Sequence, residues 1–592
     1  MNSHRPITRL TCCAVILCLG WVPTADADET ADLAAVGYGL LAKYCQQCHG
    51  DEFAYPGLDI RDRDSLTSGY RDEPPMLVPG DATGSRLFQR VVDGEMPPED
   101  QPQPTPEERE RLRAWIDAGA TFPVTHRPDR GFVGEATLLQ NIATDLSRLP
   151  AADRRHARYF SLAHLWNDAS ISDEHLRMVR AAVSKLINSL SSQPRIVPPT
   201  AIDDDGLILR VDLRDYGWNH RQHWLPLLSR YPYGLVISGE IADAVYAATE
   251  CDLPYLRADW FVHHASRPPL YHQLVTFPDF VGIPENLATL ERLLGVDIRR
   301  NFRDGKLVRA AFSGNKSGVS DHNRMVERHD ARYGYYWPSY DSAGDSGRQN
   351  FFRFPLGPKL NGDDQPAAFD HDGGEMIFSL PNHLQGYMLT TADGARIDVG
   401  PQEIVKDPNR FSGGFDIVNG ISCFGCHKEG MIPFTDTLRQ QYLGRGGEIA
   451  KKVLQLYPEQ ATLDRLVKRD RERFVSALEA ATGDFLRSAD DTRPATEFPE
   501  PITLVAKRYG NSVTLPQVAS ELGLPRSPEA AQAAGIRANA GELESAIRLS
   551  DSLRRLELLP LTAGEPLTRA QWELVFQRTA RELRIGLPLT IQ

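Results

Sequence analysis

The sequence is short of basic charge: 66 Lys and Arg stand against 79 Asp and Glu, for a formal net charge of −13. Nucleic-acid affinity rests on clustered Lys and Arg, so this balance argues against a phosphate-backbone partner. Long apolar runs are missing as well. Past Pro23 no stretch approaches the roughly 20 apolar residues of a transmembrane helix, and the mature chain is expected to have no transmembrane span. Cysteine is scarce, at eight in 592 residues. A chain long enough for about three to five domains of roughly 100–200 residues buries enough apolar surface to need no disulfide staples. Its 41% apolar and 24% charged composition is that of an ordinary globular protein.

What is present begins at the N-terminus. A basic MNSHRPITR is followed by the apolar LTCCAVILCLGWV and then by Ala25-Asp26-Ala27. A charged n-region, a short h-region and an A-x-A pattern read as a secretory signal cut after Ala27. An uncleaved anchor is the competing reading, and a lipoprotein through Cys18 is disfavoured by bulky Leu17. Loss of the signal removes Cys12, Cys13 and Cys18. Cys45, Cys48, Cys251, Cys423 and Cys426 remain, in a periplasmic or otherwise exported setting where thiols are oxidised or occupied.

Four of these five fall into Cys45-Gln46-Gln47-Cys48-His49 and Cys423-Phe424-Gly425-Cys426-His427. Each is a C-x-x-C-H, the attachment signature of c-type haem. Two thiols three positions apart on a helical turn reach the two vinyl groups of one porphyrin, and the next imidazole sits beneath the iron. A thioredoxin-like pair does not need the His, and a zinc site needs a second pair nearby. The cofactor expectation is therefore two covalently attached haem c groups, bound by Cys45, Cys48 and His49 and by Cys423, Cys426 and His427.

Around the first motif, residues 31–44, 85–92 and 106–118 read as helices. Thr105-Pro106-Glu107-Glu108 is a capping-box start with Pro at the first helical position. Between the last two helices, Gly94-Glu95-Met96-Pro97-Pro98 holds a Met in a Pro-rich loop, where its thioether can face the iron; His/Met ligation raises the potential. The series C-x-x-C-H-G, PGD-x-x-x-S-x-L, MPP and a helix ending W-I-x-x-G-A resembles the class I cytochrome c domain of the planctomycete type over about residues 30–122. That resemblance implies His49 as proximal and Met96 as distal ligand, with Met76 the alternative. Residues 28–125 carry nineteen acidic and nine basic residues, most of the chain's negative charge. The plain reading is a solvated surface. The sharper one is steering toward redox partner proteins with a basic docking surface.

The second motif follows strand-like runs at 375–380, 384–391 and 396–399, with Asp393-Gly394 as a hairpin turn. No MPP loop follows it, and Met431 lies on the proximal side of the attachment helix. The sixth ligand must come from elsewhere or be absent. His371, between Asp370 and Asp372, leads the candidates, followed by His329 and Met388. If the position is open, His371 with Glu375 or Asp372 becomes a catalytic acid/base pair. The ordered runs from about 155 to 435 resemble a family of exported, haem-motif-bearing proteins of planctomycetes and proteobacteria, which supplies no reaction. Residues 173–190 form an amphipathic helix and 206–213 a strand. The seven aromatics Trp218, Trp224, Trp260, Tyr271, Tyr335, Tyr336 and Trp337 read as core packing, and Cys251 as a buried inert thiol. The tail is helix-rich, and nothing in it carries chemistry.

The expected organisation is multidomain: a signal peptide at 1–27, an all-α class I cytochrome c domain at 28–125, a mixed α+β domain at 155–435 that carries the second haem, and a helical region at 436–592. The leading function is periplasmic electron transfer by an exported di-haem c-type cytochrome. The alternatives are a peroxidase-like haem oxidoreductase that reacts at haem 2, and a ligand-binding or scaffold protein with sensory haems.

Overall fold

The computed structural model describes residues 27–45, 60, 66–67, 75–98, 101–121, 130–312, 323–342, 344, 346–359, 367–489, 491–533 and 538–589. The proposed signal peptide, Cys48 and His49 lie outside these residues. The chain divides into two compact units, Met1–Arg127 and Pro128–Gln592. Among the described residues no helix is long and apolar enough to cross a membrane.

The first unit is helical where described. Helix α1 spans Ala27–Tyr44, α2 Arg86–Val92 and α3 Pro106–Asp117. The capping box forms: the Thr105 hydroxyl accepts from the Glu108 amide, and the Glu108 carboxylate accepts from the Thr105 amide. Glu108 also accepts from the Tyr44 hydroxyl (2.7 Å) and the Lys43 ammonium (2.9 Å), which pins the end of α1 to the start of α3. Where the two helices cross, a Cβ on Gly37 would fall on the Trp115 ring, so only glycine permits this approach. Trp115 is fully buried with Leu41, Leu77, Leu112 and Ile116.

In the second unit, β1 is Ala157–Ser161, β2 Thr200–Ala201, β3 Ile208–Asp212 and β4 Tyr255–Arg257. They form one sheet in the order β2-β3-β1-β4, with β1 antiparallel to β3 and parallel to β4. Helix α4, Asp173–Ser189, leads away from this sheet. The apolar stripe expected on α4 is there, and from Ala181 to Ser189 every residue is buried, including Ser184, Lys185 and Asn188. Each of these polar groups has a partner. Ser184 donates to Ala481 O, Lys185 pairs with Glu500, and Asn188 bonds both ways with Val197. Two of those partners lie far along the chain, so helical periodicity alone reads the polar side as a solvent face.

The larger sheet is a six-stranded antiparallel meander: β5 Val308–Phe312, β6 Asn323–Ala331, β7 Gly334–Ser342, β8 Gly373–Ser379, β9 Gln385–Thr391 and β10 Arg396–Ile397. The order is β10-β9-β8-β7-β6-β5, so each strand pairs with its neighbour in sequence. The Asp393-Gly394 turn joins β9 to β10, with Gly394 at φ +83°. Because side chains alternate, the sheet has two chemically distinct faces. Phe312, Arg324, Val326, Trp337, Glu375 and Ile377 lie on one face and line a cleft. Glu327, His329, Tyr336, Tyr340 and Met388 lie on the other. There Arg309 pairs with Glu327 at 2.6 Å, and Glu327 meets His329 at 3.0 Å.

The tail helices complete this unit. Helix α5, Ile421–Cys426, carries the second motif; α6 is Gln460–Leu486 and α7 is Pro501–Tyr509. Asp470 of α6 accepts from the Arg328 guanidinium (2.7 Å) and the Trp337 indole (3.0 Å), tying the helix to the sheet. The seven aromatics singled out from the sequence are all buried.

Candidate functional site

Two glycines shape the second C-x-x-C-H. Gly420 precedes α5 at φ +86°, and a Cβ there would strike the Ser266 carbonyl; Gly425, between the cysteines, lies against the Phe411 ring. The Phe424 amide donates to Gly420 O (2.8 Å) and the His427 amide to Cys423 O (2.9 Å), so the motif is one tight helical turn. That turn brings Cys423, Cys426 and His427 to the wall of one cleft. Mostly apolar walls with a few converging polar groups are the character of a small-molecule or cofactor site. Its apolar walls include Phe312, Val326, Trp337, Ile377 and Phe434.

The donor chemistry fits covalent haem. Both cysteines are free thiols. Burial, then the negative charge of Glu375, pushes the Cys423 thiol well up; burial, then Asp407 and Glu375, pushes Cys426 up. Free thiols are what thioether formation consumes. Among the described residues no cluster of three or more His, Cys, Asp or Glu could hold a metal ion by itself. His427 Nδ1–H donates to the Gly430 carbonyl (3.2 Å). Such a bond orients the ring and leaves Nε2 as the ligating nitrogen. The Tyr387 ring is stacked near the imidazole at 6.1 Å.

Facing Nε2 is a carboxylate: Glu375 Oε1 lies 3.6 Å from it. The other Glu375 oxygen is 3.9 Å from Arg324 Nη1. Arg324 in turn forks onto Asp341, with Nε to Oδ1 at 2.7 Å and Nη2 to Oδ2 at 3.0 Å. Burial raises the Glu375 carboxyl, but the hydrogen bond and charge of His427 and the charge of Arg324 outweigh it, and it is held down at about 2.

The other sequence candidates are placed elsewhere. His371 packs edge-on against Tyr340 at 5.2 Å and does not line the cleft. Burial lowers its basicity. His329 is fully buried on the opposite face, between Glu327 and Asn301. Met388 faces the same way as its partner Met376. Met431 lines the cleft. Of the candidate acid/base pair, then, Glu375 alone lines the cleft with His427. Arg324 and Asp341 went unremarked in the sequence; the only signal for them was strand alternation, which puts Arg324 on the face of Val326. Cys251 is buried, and its thiol donates to Leu253 O (3.3 Å).

In the first unit Cys45 is half-buried just past the end of α1. The Met96 loop is fixed from both sides: the Glu95 and Met96 amides donate to Arg90 O (2.9 and 3.0 Å), and the Gln103 side chain donates to Pro97 O and Pro98 O. Met96 is itself half-buried. Met76 packs against the core, and its carbonyl accepts from the Leu87 amide.

No curated protein and no solved structure matches the chain. Residues 45–100, from the first cysteine to just past the Met96 loop, match the family described as Planctomycete cytochrome C, and this part of the chain is a cytochrome c domain of the planctomycete type.

Proposed function

We propose that the protein is an exported di-haem c-type cytochrome that transfers electrons, with one haem in the planctomycete-type domain and a second in the cleft beside α5. The carrying observation is the pairing of a complete second C-x-x-C-H with a largely apolar cleft into which His427 Nε2 is directed by the Nδ1–H bond to Gly430. When bound, haem c supplies a one-electron carrier. The chain's own residues do the rest. Cys45 and Cys48 would hold one haem and Cys423 and Cys426 the other, with His49, Met96 and His427 as the donors to iron. Phe312, Trp337 and Phe434 give the second site apolar walls, and an apolar surround lowers the reorganisation that accompanies charge transfer. The acidic first domain draws a basic redox partner by raising the encounter rate.

The test is the haem count of the full-length protein after periplasmic expression with the cytochrome c maturation system. The pyridine haemochrome assay is expected to give two haems per chain, and C423A/C426A one. A wild-type count of one defeats the di-haem reading.

A further inference from the structure

The cleft beside α5 holds few groups able to complete an iron's coordination from the side opposite His427. Cys423 and Cys426 are consumed in thioether bonds if haem is attached, and Arg324 has no lone pair to give. Among the described lining residues, the Ser339 and Ser422 hydroxyls are bonded to backbone carbonyls, which leaves Glu375 and Met431. Met431 directly follows Gly430, whose carbonyl holds the Nδ1 edge of the His427 ring, so its backbone departs from the Nδ1 side of that ring. Glu375 stands before Nε2, with Oε1 at 3.6 Å. Metal–nitrogen and metal–oxygen bonds of about 2.0–2.2 Å each span about 4 Å across a metal. Two such bonds span about 4.0–4.4 Å, and the observed 3.6 Å is shorter by roughly 0.4–0.8 Å.

We propose that Glu375 is the second axial ligand of the haem held by Cys423, Cys426 and His427, and that Arg324, clamped by Asp341, positions it. The inference rests on the di-haem reading above. Glu375 projects from the middle of the sheet on β8, with its side chain 14% exposed. One oxygen points at His427 while the other is near Arg324. The bidentate Arg324–Asp341 pair fixes the guanidinium across neighbouring strands, so the carboxylate is supported by a rigid sheet and not by a loop. An anionic oxygen donor favours ferric over ferrous iron, whereas the thioether of Met96 favours ferrous. The haem at the second site is therefore the lower-potential one, and the downhill direction runs from it to the haem of the first domain. A filled sixth position also makes this site a carrier and not a substrate-binding centre.

The test compares wild type, E375A, E375Q, R324Q and M431A as full-length holoproteins, by haem count, EPR and a spectroelectrochemical titration. The expected result is two haems throughout. In E375A and E375Q the wild-type ferric signal of the second haem is lost and its potential rises, and added imidazole binds that haem more tightly than in wild type. R324Q shifts the same potential without changing the haem count, and M431A keeps the wild-type ferric signal of the second haem. Wild-type-like EPR and potential in both Glu375 variants, with two haems counted, overturns the assignment. Loss of the signal in M431A but not in E375A overturns it equally. A count of one haem in the wild type overturns the di-haem reading, and is distinguishable because it precedes any effect of Glu375.

Discussion

The Lys185 ammonium lies 2.8 Å from the Glu500 carboxylate, each side chain 2% exposed, and the same ammonium stands 5.8 Å from the ring of Phe424, the residue between Cys423 and Gly425. A buried ion pair from α4 to the start of α7 thus underlies the second attachment turn. Breaking such a pair strands the remaining charge at a loss of about 3–5 kcal/mol. K185M is expected to lower the urea midpoint of the second unit accordingly. K185M/E500Q should be milder, because the side-chain amide that replaces the Glu500 carboxylate carries no charge and can still accept from the Thr503 backbone N–H at the start of α7. Equal midpoints for wild type and K185M would remove the pair from any structural account of the site.

Gly425 sets a second expectation. Its Cβ-free face lies against Phe411, so G425A must displace that ring or the turn that carries both cysteines. Covalent attachment at this site is expected to fall while the first domain keeps its haem, read as a haem count moving from two toward one. Full occupancy in G425A would show that the turn tolerates the shift.

The crossing of α1 and α3 predicts an effect confined to the first unit. G37A places a methyl on Trp115, and overpacking of this kind costs about 1–3 kcal/mol. Calorimetry of the full chain should show the first unit's transition move down while the transition of the second holds. W115F is expected to relieve part of the G37A defect.

Met96 is held at its loop by Arg90 and Gln103 whether or not iron is present. If it is the distal ligand, M96A lowers the potential of one haem and abolishes the Met-to-iron absorption band. Retention of the band in M96A passes the role to Met76, and M76A then becomes the informative variant.

A pH dependence follows from the opposite face of the large sheet. Glu291 is in the helix Leu287–Leu294, and its Oε1 is buried without a partner. Burial, then the charges of Glu327 and Asp297, pushes its carboxyl up to about 8. The folded state thus binds a proton that the unfolded chain releases in the ordinary carboxylate range. That contribution to stability is full in acid and is lost as pH climbs through about 8. The urea midpoint of the second unit should decline from about pH 5 to about pH 9. E291Q should flatten this decline, and an unchanged slope would disprove the assignment.

The two C-x-x-C-H motifs are read from the sequence alone, because a run of five residues holds each of them. The α3 capping box was legible for the same reason. Alternation along β8 also separates Glu375 and Ile377 from Met376 and Phe378. Which side of that alternation meets His427 depends on how a meander and a helix some fifty residues away pack, and no local pattern contains that. His371, His329 and Met388 therefore led the ligand candidates, and Glu375 entered only as an acid/base partner of His371. Arg324 and Asp341 meet only because β6 and β7 pair in one register. Lys185 and Asp470 sit on helices where a charge ordinarily marks water, and their partners lie 315 and 142 residues away.

The two-faced sheet has a consequence for how the chain can change. Substitution alters one side chain on one face, but deletion of a single residue within β6 or β8 exchanges the faces from that point on. Glu327 and His329 would turn into the cleft, and Arg324 or Glu375 would enter the opposite core without partners. Length in these strands is therefore far less free to vary than composition, and indels in this half of the protein belong in the connections between strands.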